Sequence, residues 1–225
     1  MTSFGDHVAD ANNTELTPRR TEMRRVGNAL RRIIDKLVAT EAPAEELANL
    51  AGMLEGLAGV LDPRPQGRSY EGFAESANAG NPNAFFDNSP IIGQANPLAP
   101  PLEVTVEDGR VIGRACFGAA YEGPPGCVHG GYIAATFDEL LGMTQALTGK
   151  RGMTGTLTVR YRKPTPLRRE LRWVGEVVRE EERKITTFGQ CFDGDTLTAE
   201  ADGLFIVVDF AKILELYAKR AAPEG

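Results

Sequence analysis

Residues 130–147 read GGYIAATFDELLGMTQAL, a largely apolar segment of helical length that ends two residues before Gly149. A glycine just past the last turn is a common C-terminal cap, because glycine adopts a left-handed backbone conformation without strain. One helix of this kind does not bury its apolar faces alone, and an antiparallel sheet offers the surface that covers it. Small residues at Ala134, Ala135 and Gly142 would let such a sheet approach closely.

Strand-like segments flank this helix on both sides. Before it, residues 102–106 and 111–117 enclose the turn Glu107-Asp108-Gly109, a pattern typical of a β-hairpin. After it, short turns join four further runs, and in the first of them Leu157 and Val159 alternate with polar residues. These runs are residues 153–162, 170–179, 184–192 and 196–209. The order predicts an α+β fold in which a curved antiparallel sheet wraps around one central helix.

The first 101 residues lack this succession of strands and short turns and divide into three parts. Residues 1–18 are polar and predict a loose N-terminal tail. Residues 19–62 carry apolar residues at helical spacing on both sides of a break marked by a proline. They predict a helical hairpin extension whose six arginines lie on a solvated face. Residues 63–101 are rich in proline, glycine, asparagine and serine and predict a loop that wraps around the main domain, residues 102–225.

Composition narrows the functional classes. The 225 residues are 42% hydrophobic and 25% charged, as in an ordinary globular protein, and the net charge of −6 gives no reason to expect a nucleic-acid partner. The first residues have no apolar signal-peptide core, and no apolar run approaches the length of a membrane span. Three cysteines without metal-ligand spacing are typical of reduced thiols. We therefore expect a soluble cytoplasmic protein without membrane insertion.

The start of the central helix, at His129-Gly130-Gly131, carries the first candidate chemistry. The first N–H groups of a helix have no intrahelical partner, and the helix dipole adds partial positive charge there. Glycines also let a ligand approach that backbone closely. Such a terminus can stabilise the negative oxygen that develops when a carbonyl group is attacked. Taken alone, two glycines at a helix start fit a flexible end with no ligand equally well.

Asp138 is the second candidate, because a carboxylate on a mostly apolar helix is costly unless it is paired or functional. Its neighbour Glu139 leaves an alternative open, in which Asp138 is simply the acid that faces solvent. Asp138 follows Gly130 by eight residues, about 12 Å along the helix axis, whereas a general base must lie within about 3 Å of its target. If both motifs act together, Asp138 faces Gly130 of a second subunit, and the site requires at least a dimer.

Polar and basic residues after the helix complete the candidate site. Thr154 has a hydroxyl that would orient a water molecule or the carboxylate. Gly155 and Thr156 beside it, with Gly131, are candidate substrate contacts, although ordinary β-propensity also accounts for Thr156. Two basic clusters are candidates for binding phosphate groups, with a charged, solvated strand edge as the alternative. They are Arg160, Arg162 and Lys163 at a strand end, and Arg183 and Lys184 at a turn.

Several of these motifs together closely resemble the hotdog-fold acyl-coenzyme A thioesterases, with the phenylacetate-degradation (PaaI) type as the nearest. The resemblance covers residues 90–210 and leaves the N-terminal extension outside it. It is carried by EGPPG at 122–126, by HGG at 129–131, by the acid nine residues after the histidine, and by VRYRKP at 159–164. HGG alone is a loose signal, whereas the combination is specific.

The resemblance implies a hotdog fold paired into a homodimer, and often into a dimer of dimers. It implies hydrolysis of an acyl-coenzyme A thioester, in which the N–H of Gly130 polarises the carbonyl and Asp138 activates water or attacks directly. Thr154 assists in such sites, and His129 is more often positional than a proton carrier. No metal or redox cofactor is implied, since coenzyme A enters as part of the substrate.

Two other functions remain open on the same fold. One is a non-catalytic acyl-coenzyme A sensor whose N-terminal helices bind DNA or a protein partner, and the retained acid and the acidic balance of residues 1–62 argue against it. The other is a dehydratase or hydratase. Such enzymes use a histidine and an acid in a different arrangement, and His7 and His129 are the only histidines of this chain.

Overall fold

The computed structural model describes Val8, residues 16–62 and residues 86–208 of the chain. Most of the predicted polar tail and residues 63–85 of the predicted wrapping loop lie outside the described residues. In the described ranges, no helix combines the length and the apolar character that crossing a membrane requires.

Two helices precede the main domain, whose described part contains six strands and one long helix. Every predicted strand is present, with boundaries that differ from the expected ones by one or two residues. The helices are α1 (Pro18–Leu37), α2 (Ala44–Gly59) and α3 (Gly130–Ala146), and a short 3-10 helix spans Ala119–Tyr121. The strands are β1 (Glu103–Glu107), β2 (Arg110–Cys116), β3 (Gly152–Tyr161), β4 (Glu170–Glu180), β5 (Lys184–Asp193) and β6 (Thr196–Val207).

The six strands form one antiparallel sheet in the order β1-β2-β4-β5-β6-β3. Helix α3 lies against every strand from β2 to β6. The prediction of a sheet wrapped around one central helix is confirmed. The chain passes through α3 between β2 and β3, and β3 therefore joins the far side of the sheet as an edge strand. Within the described part of the chain, β6 is the one strand that pairs with it.

The core lies between α3 and the inner face of the sheet. Phe137 of α3 is fully buried, and its ring meets the ring of Trp173 edge-on with the centroids 4.8 Å apart. A glycine in the sheet permits the close approach, because a Cβ on Gly175 would lie 2.3 Å from the Thr144 hydroxyl of α3. The prediction that Gly142 serves this purpose is wrong, since a Cβ there would meet nothing closer than 3.9 Å.

Helix α1 docks on residues 86–101 through its polar face. The guanidinium of Arg31 donates to the carbonyl oxygens of Gln94 and Asn96 at 2.7 and 2.6 Å. The prediction of a solvated arginine face is therefore wrong for this residue. The irregular backbone of residues 86–101 has carbonyl groups at this contact that need donors, and the arginine supplies them. Part of the apolar side of α1 is exposed instead, with Val26 52% and Leu37 45% exposed.

Two further arginines of α1 bind one buried carboxylate. The Nε atoms of Arg20 and Arg24 lie 2.6 and 2.7 Å from the two oxygens of Asp87, whose side chain is 11% exposed. Removing one member of a buried ion pair leaves its partners uncompensated. We therefore expect Asp87→Ala to lower the free energy of unfolding by about 2–4 kcal/mol, as measured by chemical denaturation.

The control for this prediction is Arg25→Ala. Arg25 and Glu22 form an ion pair on the same helix, but their side chains are 79% and 62% exposed. Exposed pairs contribute at most about 1 kcal/mol, so the unfolding midpoint of this variant stays near that of the wild type. Equal midpoints for Asp87→Ala and Arg25→Ala would contradict the assignment of Asp87 as the anchor of α1.

Helix α2 is present as predicted, but its apolar stripe is not covered. Among the described residues, no side chain of α2 is fully buried, and Leu57 is 61% exposed. Leu47, Leu50 and Leu54 are half-buried. A packed hairpin between α1 and α2 therefore stays a prediction.

Candidate active site

A tight loop positions the start of α3. The backbone N–H of Gly123 donates to the carbonyl of Cys127 at 3.0 Å, and Gly126 adopts a positive φ of 72° between them. The carboxylate of Glu122 accepts from the N–H of Gly126 at 2.6 Å. Gly123 has no room for a side chain, because a Cβ there would lie 2.7 Å from the Cα of His129. The EGPPG motif is thus the support on which His129 sits.

His129 caps the helix through one of its ring nitrogens. Its Nδ1 atom accepts a hydrogen bond from the N–H of Gly131 at 2.9 Å. A neutral imidazole that accepts at Nδ1 carries its proton on Nε2. The contact satisfies one of the unpaired donors of the first turn and fixes the orientation of the ring.

The N–H of Gly130 remains available at the helix tip. It has no acceptor among the described residues, whereas the carbonyl of Gly130 accepts from the Tyr161 hydroxyl at 2.8 Å. Tyr161 therefore braces the tip from the end of β3. Sequence reasoning assigned no site role to Tyr161, although it lies in the VRYRKP motif at 159–164 that carries part of the family resemblance.

Asp138 and Thr154 meet on the open side of α3. The hydroxyl of Thr154 donates to Oδ1 of Asp138 at 2.8 Å, and both side chains are exposed in the single chain. The structure thus brings together two of the four predicted catalytic residues. The tip at Gly130 lies eight residues away on the same helix, about 12 Å along its axis, too far for one chain to join both.

Glu139 faces a different direction from Asp138. Ser89, on the segment that α1 clamps, donates from its hydroxyl to Oε2 of Glu139 at 3.4 Å. Burial raises the pKa of Glu139 to about 7, the charge of Asp138 adds to the increase, and the Ser89 hydrogen bond opposes it. The two neighbouring acids therefore differ, with Asp138 exposed and Glu139 half-buried.

A bulge in β3 separates two of the predicted substrate contacts from Thr154. The register between β3 and β6 shifts between Thr154 and Thr156. A Cβ on Gly155 would lie 3.0 Å from the Ile206 side chain, so tight packing favours a glycine there without any substrate contact. Bulges redirect the side chains beside them, and this one lies next to the residue that reaches Asp138.

The two predicted basic clusters do not converge within one chain. Arg162 and Lys163 lie at the end of the sheet near the start of α3, whereas Arg183 and Lys184 lie at the opposite end, in and beside the β4–β5 turn. The span between them along β6 is about 25 Å. Arg162 is also occupied, since its Nη2 atom binds Oε1 of Glu200 at 2.5 Å.

Comparison with known proteins decides the family. The thioesterase superfamily matches residues 125–200, which include α3, Asp138 and Thr154. The crystal structure of protein RHA08564, a thioesterase superfamily protein, is 34% identical to this chain and superposes with a TM-score of 0.73. That likeness covers 82% of this chain and 94% of the other. The chain belongs to the thioesterase superfamily.

The likeness of this superfamily member to RHA08564 extends beyond the main domain. Residues 102–225 make up 124 of the 225 residues, just over half, whereas the superposition covers 82% of the chain. The N-terminal part is therefore included at least in part, although the sequence resemblance left it outside.

Curated relatives that are named for an activity match a smaller share of this chain. Acyl-coenzyme A thioesterase THEM4 of Mus musculus is 37% identical over 99 residues, which are 43% of this chain and 43% of the relative. Acyl-coenzyme A thioesterase THEM5 of Homo sapiens is 31% identical over 91 residues, 40% of this chain and 37% of the relative. The matches thus span about two fifths of these relatives' own length.

Proposed function

We propose that this protein hydrolyses acyl-coenzyme A thioesters to a free acid and coenzyme A. The supporting observation is that one helix carries both an unpaired N–H, at Gly130, and an accessible carboxylate, at Asp138, which Thr154 orients. An oxyanion donor and a base are the two groups that acyl transfer to water needs. The names of the curated relatives support an acyl-coenzyme A as the substrate.

The mechanism that we propose uses these three residues. The carbonyl oxygen of the thioester accepts a hydrogen bond from the N–H of Gly130. The partial positive charge of the helix tip stabilises the oxyanion as it forms. Asp138 takes a proton from a water molecule whose oxygen bonds to the carbonyl carbon. When the tetrahedral intermediate collapses, the carbon–sulfur bond breaks, the thiolate leaves and takes up a proton. Thr154 keeps the carboxylate in the orientation that this step requires.

A second subunit completes the site in this proposal. The open side of α3 exposes Asp138, and β3 ends the sheet with an unpaired edge in the described structure. An unpaired edge of ten residues is a surface that another strand readily extends. Two β3 strands paired about a twofold axis run antiparallel, and their α3 helices do so as well. Asp138 of one subunit then approaches Gly130 of its partner.

The same twofold axis supports a role for both basic clusters in phosphate binding. Antiparallel pairing of two β3 strands brings opposite ends of the two sheets together. Arg162 and Lys163 of one subunit then lie at the same end as Arg183 and Lys184 of the other. A coenzyme A bound near the tip of α3 would have Lys163 of one chain and the Arg183–Lys184 cluster of the other available for its phosphates, whereas Arg162 already binds Glu200.

Release of free thiol is the measurement that tests the activity. Saturated acyl-coenzyme A substrates of increasing chain length and an aromatic one are incubated with the full-length protein. We expect thiol release with at least one of them. Hydration of an enoyl-coenzyme A without thiol release would favour a hydratase, and binding without turnover would favour a sensor. Either result would refute the proposed activity.

Mixing two inactive variants tests the shared site. One variant is Asp138→Asn, and the other is Gly130→Pro, which removes the N–H at the helix tip. In a heterodimer of the two, one site carries both lesions and the other carries none. Co-expression in equal amounts yields about half heterodimers, so about a quarter of the wild-type activity returns. If each subunit used its own Gly130 and Asp138, no mixture would recover activity.

A further inference from the structure

We propose that the N-terminal extensions of two copies of this chain pair with one another, with α1 of each copy against α2 of the other. The contact joins two apolar stripes that the structure leaves open, one on each helix. The inference rests on the twofold dimer of the proposed function and does not depend on the hydrolysis. It adds a second interface to that dimer.

Both stripes have the spacing of a coiled coil. Apolar residues recur at alternating intervals of three and four along α1, and they do the same along α2 and the turn after it. The members are Met23, Val26, Leu30, Ile33 and Leu37 in the first stripe, and Leu47, Leu50, Leu54, Leu57 and Leu61 in the second. Apolar residues with this repeat form a seam that packs against an equivalent seam on another helix. Each stripe is therefore one half of a helix–helix interface.

The described part of the chain leaves both stripes open. Val26 and Leu37 are 52% and 45% exposed, and Leu57 and Leu61 are 61% and 69% exposed. No helix or strand of the described ranges packs along α2. An isolated helix of this length is marginally stable in water, so α2 takes its stability from a surface that buries its leucines.

Helix α1 is held on residues 86–101 by a different side, beside the proposed dimer interface. Gly27 of that side is buried, and a Cβ there would lie 2.5 Å from a backbone oxygen of this segment. In the same segment, the Ser89 hydroxyl donates to Glu139 of α3 at 3.4 Å. Glu139 is the neighbour of Asp138, which lies on the open side of α3 that the proposed dimer uses. The extension is thus continuous with that interface, and this favours a second copy as the occupant of the stripes.

Charge decides which helices meet. Helix α1 contains six arginines and one lysine against two acids, whereas α2 contains three glutamates and no basic residue. Two copies of α1 repel each other, and so do two copies of α2, whereas α1 attracts α2. A twofold axis forms two such contacts at once, because α1 of each copy meets α2 of the other.

Disulfide trapping tests this pairing. Leu30 and Leu54 are the central members of the two stripes, so they face each other whether the helices run parallel or antiparallel. Leu30→Cys and Leu54→Cys are introduced, singly and together, into the full-length chain. Cys116→Ser and Cys127→Ser remove the native thiols that are not buried. After mild oxidation, we expect the double variant to run as a linked dimer in non-reducing electrophoresis. The two single variants, co-expressed with different tags, should form a disulfide between the tagged chains.

The matched control replaces a residue on the opposite side of α2. Ala48 is exposed and lies away from the stripe, so Ala48→Cys combined with Leu30→Cys should form no link. A disulfide within one chain of the Leu30→Cys/Leu54→Cys variant would assign the stripes to a hairpin of one copy. A link in either single variant alone would pair like helices, and no link at all would leave the stripes to another segment. Each of these results would overturn the proposal.

Sedimentation of the full-length protein measures what the contact adds to the dimer. Leu57 is exposed in the single chain, so Leu57→Glu leaves the fold of each copy intact. We expect this variant to raise the dimer dissociation constant about a hundredfold, because each dimer loses two buried leucine contacts. Leu98→Glu changes a leucine that is 66% exposed outside both stripes and should leave the constant unchanged.

The two experiments separate this inference from the proposed function. An unchanged dissociation constant in Leu57→Glu would refute the pairing. A wild type that sediments as a monomer would refute the proposed dimer and the pairing together. A wild-type dimer whose double cysteine variant forms no link between copies would refute the pairing alone.

Discussion

Asp138→Asn should lower kcat for acyl-coenzyme A hydrolysis by about a hundred- to ten-thousand-fold, the usual contribution of a general base. The substitution removes the negative charge and little else. The amide oxygen of asparagine still accepts the hydrogen bond that the Thr154 hydroxyl now donates at 2.8 Å. Residue 138 is exposed in the single chain, so its packing hardly changes. Steady-state thiol release at pH 8 measures the loss.

Two controls make the result specific to this carboxylate. Asp195→Asn neutralises an exposed acid in the β5–β6 turn and should leave kcat near the wild-type value. The free energy of unfolding of Asp138→Asn should stay within about 0.5 kcal/mol of the wild-type value, as for other surface substitutions. A variant that is folded and dimeric and still hydrolyses the substrate at the wild-type rate would remove Asp138 from the mechanism.

Local patterns made the main domain predictable from the sequence. The alternation of apolar and polar residues marks strands, and the turn glycines adopt the positive φ that their positions indicated. Gly109 and Gly194, each in a turn between two neighbouring strands, have φ values of 73° and 56°, and Gly149 beyond α3 has 76°. Such signals are local, because each depends on the conformation of one or two residues.

Interactions between distant segments were not predictable in this way. The arginines of α1 look like a solvated face, since nothing in their spacing reveals that Asp87 and the carbonyls of residues 94–96 lie opposite them. The separation of the two basic clusters follows from the strand order, in which β3 crosses to the far edge. Residues in contact across 50 or more positions depend on topology, and a single sequence does not contain that information directly.

In the candidate site, too, some features were predictable from the sequence and others were not. The expectation that Gly130 and Asp138 can act together only across two subunits follows from helix geometry, because an axial separation of about 12 Å is fixed by residue count. The direction of each acid around α3 depends on what covers the helix. Ser89, which donates to the Glu139 carboxylate, lies 50 positions before it in the sequence.

Gly130→Pro should lower kcat by about a hundred- to a thousand-fold, the cost of losing one oxyanion donor. Proline lacks the N–H that we assign to the thioester oxygen, yet it suits the first position of a helix. The preceding residue, His129, already has φ −60° and ψ 132°, the extended conformation that a following proline requires. The cap from His129 to the N–H of Gly131 is therefore kept. Thiol-release kinetics measure the change.

Gly130→Ala is the matched control, because it adds the same Cβ and keeps the N–H. In both variants the new carbon lies 3.2 Å from the Tyr161 hydroxyl, and the ring of Tyr161, 55% exposed, has room to yield. The contact of the Cβ with Tyr161 is thus shared, and the difference in kcat between the two variants reports the replacement of the N–H by the proline ring. We expect Gly130→Ala to retain most of the activity that Gly130→Pro loses. Equal losses in both would assign the effect to crowding at Tyr161 and would exclude the N–H of Gly130 as the oxyanion donor.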